Sequence, residues 1–249
     1  MSGLIIFILG SAVGSFLNVV LYRLHEGKFF WKGRSFCPKC GKQIAWYDNI
    51  PILSFLMLRG KCRHCRKSIS WQYPLIELTT AGVFLWLFLI FGLTLDFFVF
   101  TVLSCFLIVI FVYDLLHYLI LDEVVIPAAI FALFANLYTG HGFWNLILAV
   151  FLGGGFFLAQ FLISKGRWIG GGDVRLGALM GLTLGFPMVL IALFVAYFAG
   201  AFTGLILIIF NHKKMSSKVP FGTFLTAATF ITFLYGQQLL SWYLNLINY

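Results

Sequence analysis

Residues 3–22, 73–91, 97–112, 124–138, 143–163, 174–186, 188–210 and 220–246 form eight nearly continuous apolar runs. About 20 such residues let a helix cross roughly 30 Å of hydrocarbon. There each segment must satisfy its own backbone N–H and C=O groups, which leaves helices or closed barrels. Barrel strands alternate polar and apolar residues, and these runs do not. The chain is 61% hydrophobic and 10% charged over 249 residues, too apolar for a water-soluble core to hide. The sequence therefore predicts an all-α membrane protein of about eight transmembrane helices, the sixth of them short.

The net charge of +9 raises the question of nucleic acid, and the placement of the charge answers it. Eleven of the 17 Lys and Arg lie between Arg23 and Lys67, and the others are Lys165, Arg167, Arg175, Lys213, Lys214 and Lys218. With the N-terminus outside and eight crossings, all of these fall on one side, and the intervening loops carry none. That is a topology signal with the basic loops in the cytoplasm, so no nucleic-acid partner is expected and the lipid bilayer is. The first run lacks a basic segment before it, so it reads as a retained helix rather than a cleaved signal, with both termini outside. Three parts follow: residues 1–22, the first transmembrane helix; 23–72, a cytoplasmic domain; and 73–249, a seven-helix membrane core.

Residues 23–72 are the one sizeable polar region, too small for a large apolar core without help from a metal. They hold Cys37-Pro38-Lys39-Cys40 and Cys62-Arg63-His64-Cys65. Two C-x-x-C pairs at this separation can place four thiolates around one tetrahedral Zn²⁺. Two local disulfides or a redox-active pair are the alternatives, and a cytoplasmic placement disfavours stable disulfides. Four thiolates leave no open coordination position, so the expected metal is structural.

Few acids remain in the apolar part. Asp173 follows Gly170-Gly171-Gly172, where missing side chains permit close approach of another backbone, so Gly171 and Gly172 are candidates for contact with a substrate chain. Asp114 ends the third run, the unfavourable end of a helix dipole for a carboxylate, which points to a functional role. Asp96, Asp122 and Glu123 sit where helix N-caps belong. For Glu77, capping and contact with a cationic group of a ligand are both open. Gly10, Gly14 and Ser15 on the first helix, and Gly153-Gly154-Gly155 on the fifth, favour close helix packing. Asn18 needs an interhelical hydrogen bond. The positive-inside topology puts Asp114 and Asp173 at the same cytoplasmic face. Two carboxylates sharing a site hold one proton between them and can activate water for peptide hydrolysis. A proton or ion pathway through a transporter is the rival use of intramembrane acids. A zinc-stabilised assembly scaffold is a third reading.

The chain resembles the bacterial prepilin leader peptidases, membrane aspartic proteases of the GxGD type. The resemblance is carried by Gly14-Ser15-Phe16-Leu17-Asn18-Val19-Val20 with Arg23, both C-x-x-C pairs, and Asn49-Ile50-Pro51 with Ser54. It continues through Tyr73-Pro74-Leu75-Ile76-Glu77, Tyr113-Asp114-Leu115, Gly170-Gly171-Gly172-Asp173-Val174 and Pro220-Phe221-Gly222. It implies that Asp114 and Asp173 are the catalytic pair, in the bacterial inner membrane with the site facing the cytoplasm. It implies prepilin or pseudopilin substrates, cleaved after a Gly. It also implies methylation of the new N-terminus with S-adenosylmethionine, for which no residues stand out. Leu121-Asp122 stands where the family commonly has Pro-Asp, and Arg175 where it commonly has Lys.

Overall fold

A computed structural model describes residues 1–27, 33–140, 142–210 and 219–247. Lys28, Lys32, His141 and the basic tract with Lys213, Lys214 and Lys218 lie outside the described residues. Among the described residues the only β structure is two isolated bridges, Phe36 with Gln43 and Lys61 with Ser68. The other regular elements are helical, a 3-10 turn at Trp46–Asn49 and nine α-helices among the described residues: α1 Ser2–His25, a short α2 Leu53–Met57, α3 Gln72–Phe91, α4 Leu95–His117, α5 Asp122–Tyr138, α6 Phe143–Ser164, α7 Gly171–Leu184, α8 Met188–Ile209 and α9 Phe221–Ile247. The eight long helices are the eight apolar runs. Helices α1, α3, α4, α6 and α8 are long and apolar enough to cross a membrane. Their outer faces carry large exposed side chains such as Phe151, Phe194 and Phe198, the surface of a multi-pass membrane protein.

By their contacts the residues form two compact units, Met1–Cys105 and Phe106–Tyr249, divided within α4. In the first, α1 packs along α3. A Cβ on Gly10 would lie 2.8 Å from the Ala81 Cα, and one on Gly14 2.7 Å from the Glu77 Cα. These small residues set the helix separation, as their spacing predicts. Asn18 donates to the Tyr73 carbonyl at 3.1 Å, the interhelical bond its burial requires.

In the second unit α7 packs against α5, α6, α8 and α9. Its buried face carries Leu176, Leu179 and Met180. Gly177 faces Gly153 of α6 so closely that a Cβ would lie 2.7 Å from the Gly153 carbonyl oxygen. Asn136 of α5 donates to the Leu182 and Thr183 carbonyls of α7 at 2.7 and 3.2 Å. Three buried hydroxyls are satisfied within their own helices: Thr183 bonds the Leu179 carbonyl, Thr226 that of Gly222, and Thr229 that of Leu225. This i−4 bonding lets polar side chains sit in an apolar medium.

The N-cap expectations at Asp96, Asp122 and Glu123 give way: the last two follow the N-cap Leu121 in the first turn of α5. The cap of α4 is Thr94, whose hydroxyl accepts the Phe97 N–H at 3.4 Å, and Asp96 lies inside the first turn. Thr94 precedes the helix and so has the extended reach a cap needs. Glu77 sits too far into α3 to cap it and binds a loop N–H instead, as described below.

Candidate active site and metal centre

The cysteine region of the first unit consists of two copies of one turn. The Cys37 N–H donates to the Lys42 carbonyl and the Gly41 N–H to the Cys37 carbonyl, at 2.9 and 2.8 Å. Cys62 and Lys67, and Arg66 and Cys62, repeat the pattern at 2.9 and 3.0 Å. The fourth residue after the leading cysteine has positive φ in both, 71° at Gly41 and 58° at Arg66. Each turn aims two thiols inward. The Sγ atoms of Cys37, Cys40, Cys62 and Cys65 all lie within 4.8 Å of one another, and all four thiols are free. Tetrahedral Zn–S bonds of about 2.3 Å set sulfurs about 3.8 Å apart, so the cluster can hold a metal ion. His64 is exposed and is not one of the four.

Asp48 joins the second knuckle to the intervening segment. Its two oxygens accept from Arg63 at 2.6 and 2.8 Å, and the Arg63 guanidinium holds the carboxyl below the usual range. N–H groups of Cys65 and His64 pull the Cys62 thiol down to about 7. Beyond Asp48 the chain makes a γ-turn about Ile52, with φ 63° and a 2.6 Å bond from the Leu53 N–H to the Pro51 carbonyl. Positive φ at a β-branched residue is strained. The Ile52 N–H is held by Glu77 Oε2 at 2.7 Å.

In the second unit Asp114 is 4% exposed, in the last turn of α4. The dipole of its own helix disfavours it, but it borrows that of another. Its Oδ2 accepts the Thr223 N–H in the first turn of α9 at 2.9 Å, with the Gly222 N–H as a further donor. A helix N-terminus has such donors to spare. Gly222 is required there, because a Cβ would lie 2.8 Å from Asp114 Oδ2. Asp173 is half-buried at the third position of α7, and its Oδ2 accepts the Gly170 N–H at 3.0 Å. Both carboxylates thus stand at helix N-termini, close enough for the charge of one to act on the other.

Ile120 lies between these two helix starts. A Cβ on Gly172 would meet its Cβ at 2.8 Å, and one on Gly222 its Cδ1 at 3.0 Å. The space beside Gly172 is thus held by Ile120, whereas Gly171 has nothing within 4 Å and stays open. Asp122, in the first turn of α5, makes no side-chain cap and pairs with Arg175 instead. Arg175, which stands where the family commonly has Lys, thus pairs with the residue after Leu121, the other departure. Tyr197 is bonded to Gln160 at 2.8 Å and lies within the field of Asp173. Nothing in the apolar runs of α6 and α8 marks those two residues.

Residues 8–91 match the model of the bacterial peptidase A24 N-terminal domain, and residues 101–205 match that of the type IV leader peptidase family. A curated protein of Bacillus subtilis is 32% identical over 97% of this chain and 98% of its own length. The chain belongs to the type IV leader peptidase family. The Bacillus relative is named prepilin leader peptidase/N-methyltransferase, as are proteins of Legionella pneumophila and Pseudomonas aeruginosa. Each of these two is 31% identical over 97% of this chain, covering 94% and 93% of the relative. No solved structure gave a significant match. The leader peptidase model covers both aspartates and ends before α9. α9, whose first turn binds the Asp114 carboxylate, lies beyond it, within the span of the relatives' match.

Proposed function

We propose that this leader peptidase family member is an aspartic endopeptidase that removes the basic leader of type IV prepilins or pseudopilins after a Gly, and then methylates the new N-terminus. The observation that carries the reading is the convergence of Asp114 and Asp173 on one site, each anchored by backbone N–H groups of a helix start. The pair shares one proton. The ionised carboxylate draws a proton from water, which attacks the scissile carbonyl, while the protonated partner hydrogen-bonds the carbonyl oxygen. Collapse breaks the C–N bond, and the leaving amine takes up a proton. Gly171, with open space beside it, is where the substrate backbone approaches.

The four thiolates hold Zn²⁺ in a structural role, since they fill its coordination. The basic loops put the active site on the cytoplasmic side of the inner membrane, with both termini outside. There a prepilin's basic leader meets the site while its apolar segment stays in the bilayer. When bound, S-adenosylmethionine supplies a methyl group to the lone pair of the new amine; its sulfur keeps the bonding electrons and the amine gives up a proton.

The test is cleavage of a prepilin with a Gly–Phe junction by purified full-length protein in lipid, beside Asp114→Asn and Asp173→Asn. Wild type cleaves, and both variants retain metal and elution volume but are at least about 10³-fold slower. Normal cleavage by either variant rejects the assignment.

A further inference from the structure

Ile120 is half-buried in the link 118–121 between α4 and α5, on the loop side of Asp114. We infer that Ile120 sets the specificity of the peptidase site: it occupies the space that a side chain would need on the residue before the scissile bond, and so admits only Gly there. The inference rests on the peptidase half of the proposed function and names the residue that selects the Gly.

The link is fixed at both ends. Tyr118, at φ 57°, ends α4, and its N–H donates to the Asp114 carbonyl at 2.8 Å. Leu121, extended at φ −89° and ψ 132°, starts α5, whose Asp122 is paired with Arg175 of α7. Between them Ile120 is turned back onto the acids. Its Cβ, Cγ1 and Cδ1 would meet a Cβ on Gly172 at 2.8, 3.4 and 3.3 Å, so the side chain lies along the start of α7 next to Asp173. At α9, Asp114 Oδ2 and Ile120 Cδ1 lie 2.8 and 3.0 Å from one point, the place of a Cβ on Gly222. The methyl end of Ile120 is thus beside the Asp114 carboxylate. Branching at Cβ stiffens χ1, so this wall does not swing aside easily.

The chemistry fixes where the substrate carbonyl must lie. A group that gives or takes a proton acts over about 2.6–3.2 Å, so the scissile carbonyl stands between the two carboxylates. Its carbon is bonded, at about 1.52 Å, to the Cα of the residue before the bond. A Cβ on that Cα would fall where Ile120 Cδ1 already is. The direction of the substrate decides which residue meets this wall. The basic leader comes from the cytoplasmic side, where the 118–121 link lies, and the apolar segment runs on into the bilayer. Ile120 therefore faces the leader side of the carbonyl, while the opening beside Gly171 takes the backbone. Gly has no Cβ to place there, and a tightly held side chain does not yield to one by small shifts.

The experiment measures kcat/KM of full-length protein in lipid nanodiscs on two prepilins that differ only before the bond, one with a Gly–Phe and one with an Ala–Phe junction. Wild type should favour Gly at least about 100-fold, within what one methyl group can decide in a fitted site. Ile120→Ala opens the space and should cut that preference at least about tenfold. Ile120→Val, a smaller change that keeps the branching at Cβ and disturbs folding least, should cut it about threefold. Leu119→Ala, at the exposed neighbour, should leave it unchanged. A merely structural role for Ile120 would slow both substrates by the same factor, so an unchanged ratio in Ile120→Ala and Ile120→Val overturns the inference. Wild type that cleaves Ala–Phe as fast as Gly–Phe also overturns it and leaves the peptidase reading intact. Wild type that cleaves neither removes the peptidase reading, and the inference with it.

Discussion

Gly222→Ala isolates the geometry of Asp114 from its chemistry. The added Cβ would lie 2.8 Å from Oδ2, about 0.6 Å inside the 3.4 Å at which contact becomes ordinary. The neighbouring Ile120 Cδ1, at 3.0 Å, blocks an easy shift of the backbone. The carboxylate has to move, and with it goes the 2.9 Å bond from Thr223. A hydrogen bond to a charged group contributes about 1.5–3 kcal/mol. Replacing Gly by Ala in a helix returns about 0.5–1 kcal/mol. The net destabilisation is therefore about 1–2 kcal/mol, a fall in Tm of about 2–8 °C. Cleavage should fall much further, about 100-fold in kcat/KM, because a displacement near 1 Å at a catalytic group has that effect. Prepilin cleavage and thermal unfolding of the same preparation measure both. Gly204→Ala on α8, with nothing within 4 Å, is the matched control and should cleave normally. Cleavage by Gly222→Ala within about threefold of wild type would refute the claim that α9 fixes Asp114.

Replacing Cys37 and Cys62 by Ser should lower zinc per chain and folded yield; full zinc stoichiometry in that variant would reject the metal assignment. In metal-free protein at pH 7.5, iodoacetamide should modify Cys62 before Cys40. Cys62 sits at about 7, held down by the Cys65 and His64 N–H groups. Cys40 goes up to about 11, the Lys42 N–H that favours its thiolate being outweighed by desolvation and the neighbouring thiols. For Cys62 the sign follows: its thiolate stabilises the fold fully above the ordinary thiol range near 9, and that contribution is lost as pH falls through about 7. Peptide mapping after brief alkylation reads the order, and equal rates would contradict it. Arg175→Gln should leave Asp122 unpaired and slow cleavage about tenfold or less, with Arg175→Lys restoring most of it; unchanged kinetics would make that ion pair incidental.

The sequence makes the helices and the cysteine cluster legible because their signals are local. Apolar runs announce helices, and two C-x-x-C pairs announce a four-sulfur cluster whatever lies between them. The small-residue face of α1 and the interhelical bond of Asn18 follow from the same short-range logic. The surroundings of the acids do not. Asp114 reads as misplaced on its own helix because its partner, Thr223, is 109 residues away. Glu77 reads as a cap candidate until the loop folds back and offers the Ile52 N–H from 25 residues upstream. Asp122 reads as a cap, yet an arginine 53 residues later takes its carboxylate. A carboxylate goes to the strongest donor that folding brings within reach, and the identity of that donor is a property of the tertiary fold.

Ile120 carries no charge and no hydrogen-bonding side-chain atom, yet its bulk lies against both helix starts that present the acids. The separation of the two carboxylates is therefore gauged by a hydrocarbon. Trimming or enlarging that one side chain would retune the spacing of the acids while leaving both of them, and every group they bond, chemically intact. A methyl group added at position 172 or 222 would then be accommodated only where residue 120 has given up the matching volume, so these three positions should vary as a set whose total size, rather than any single member, is fixed.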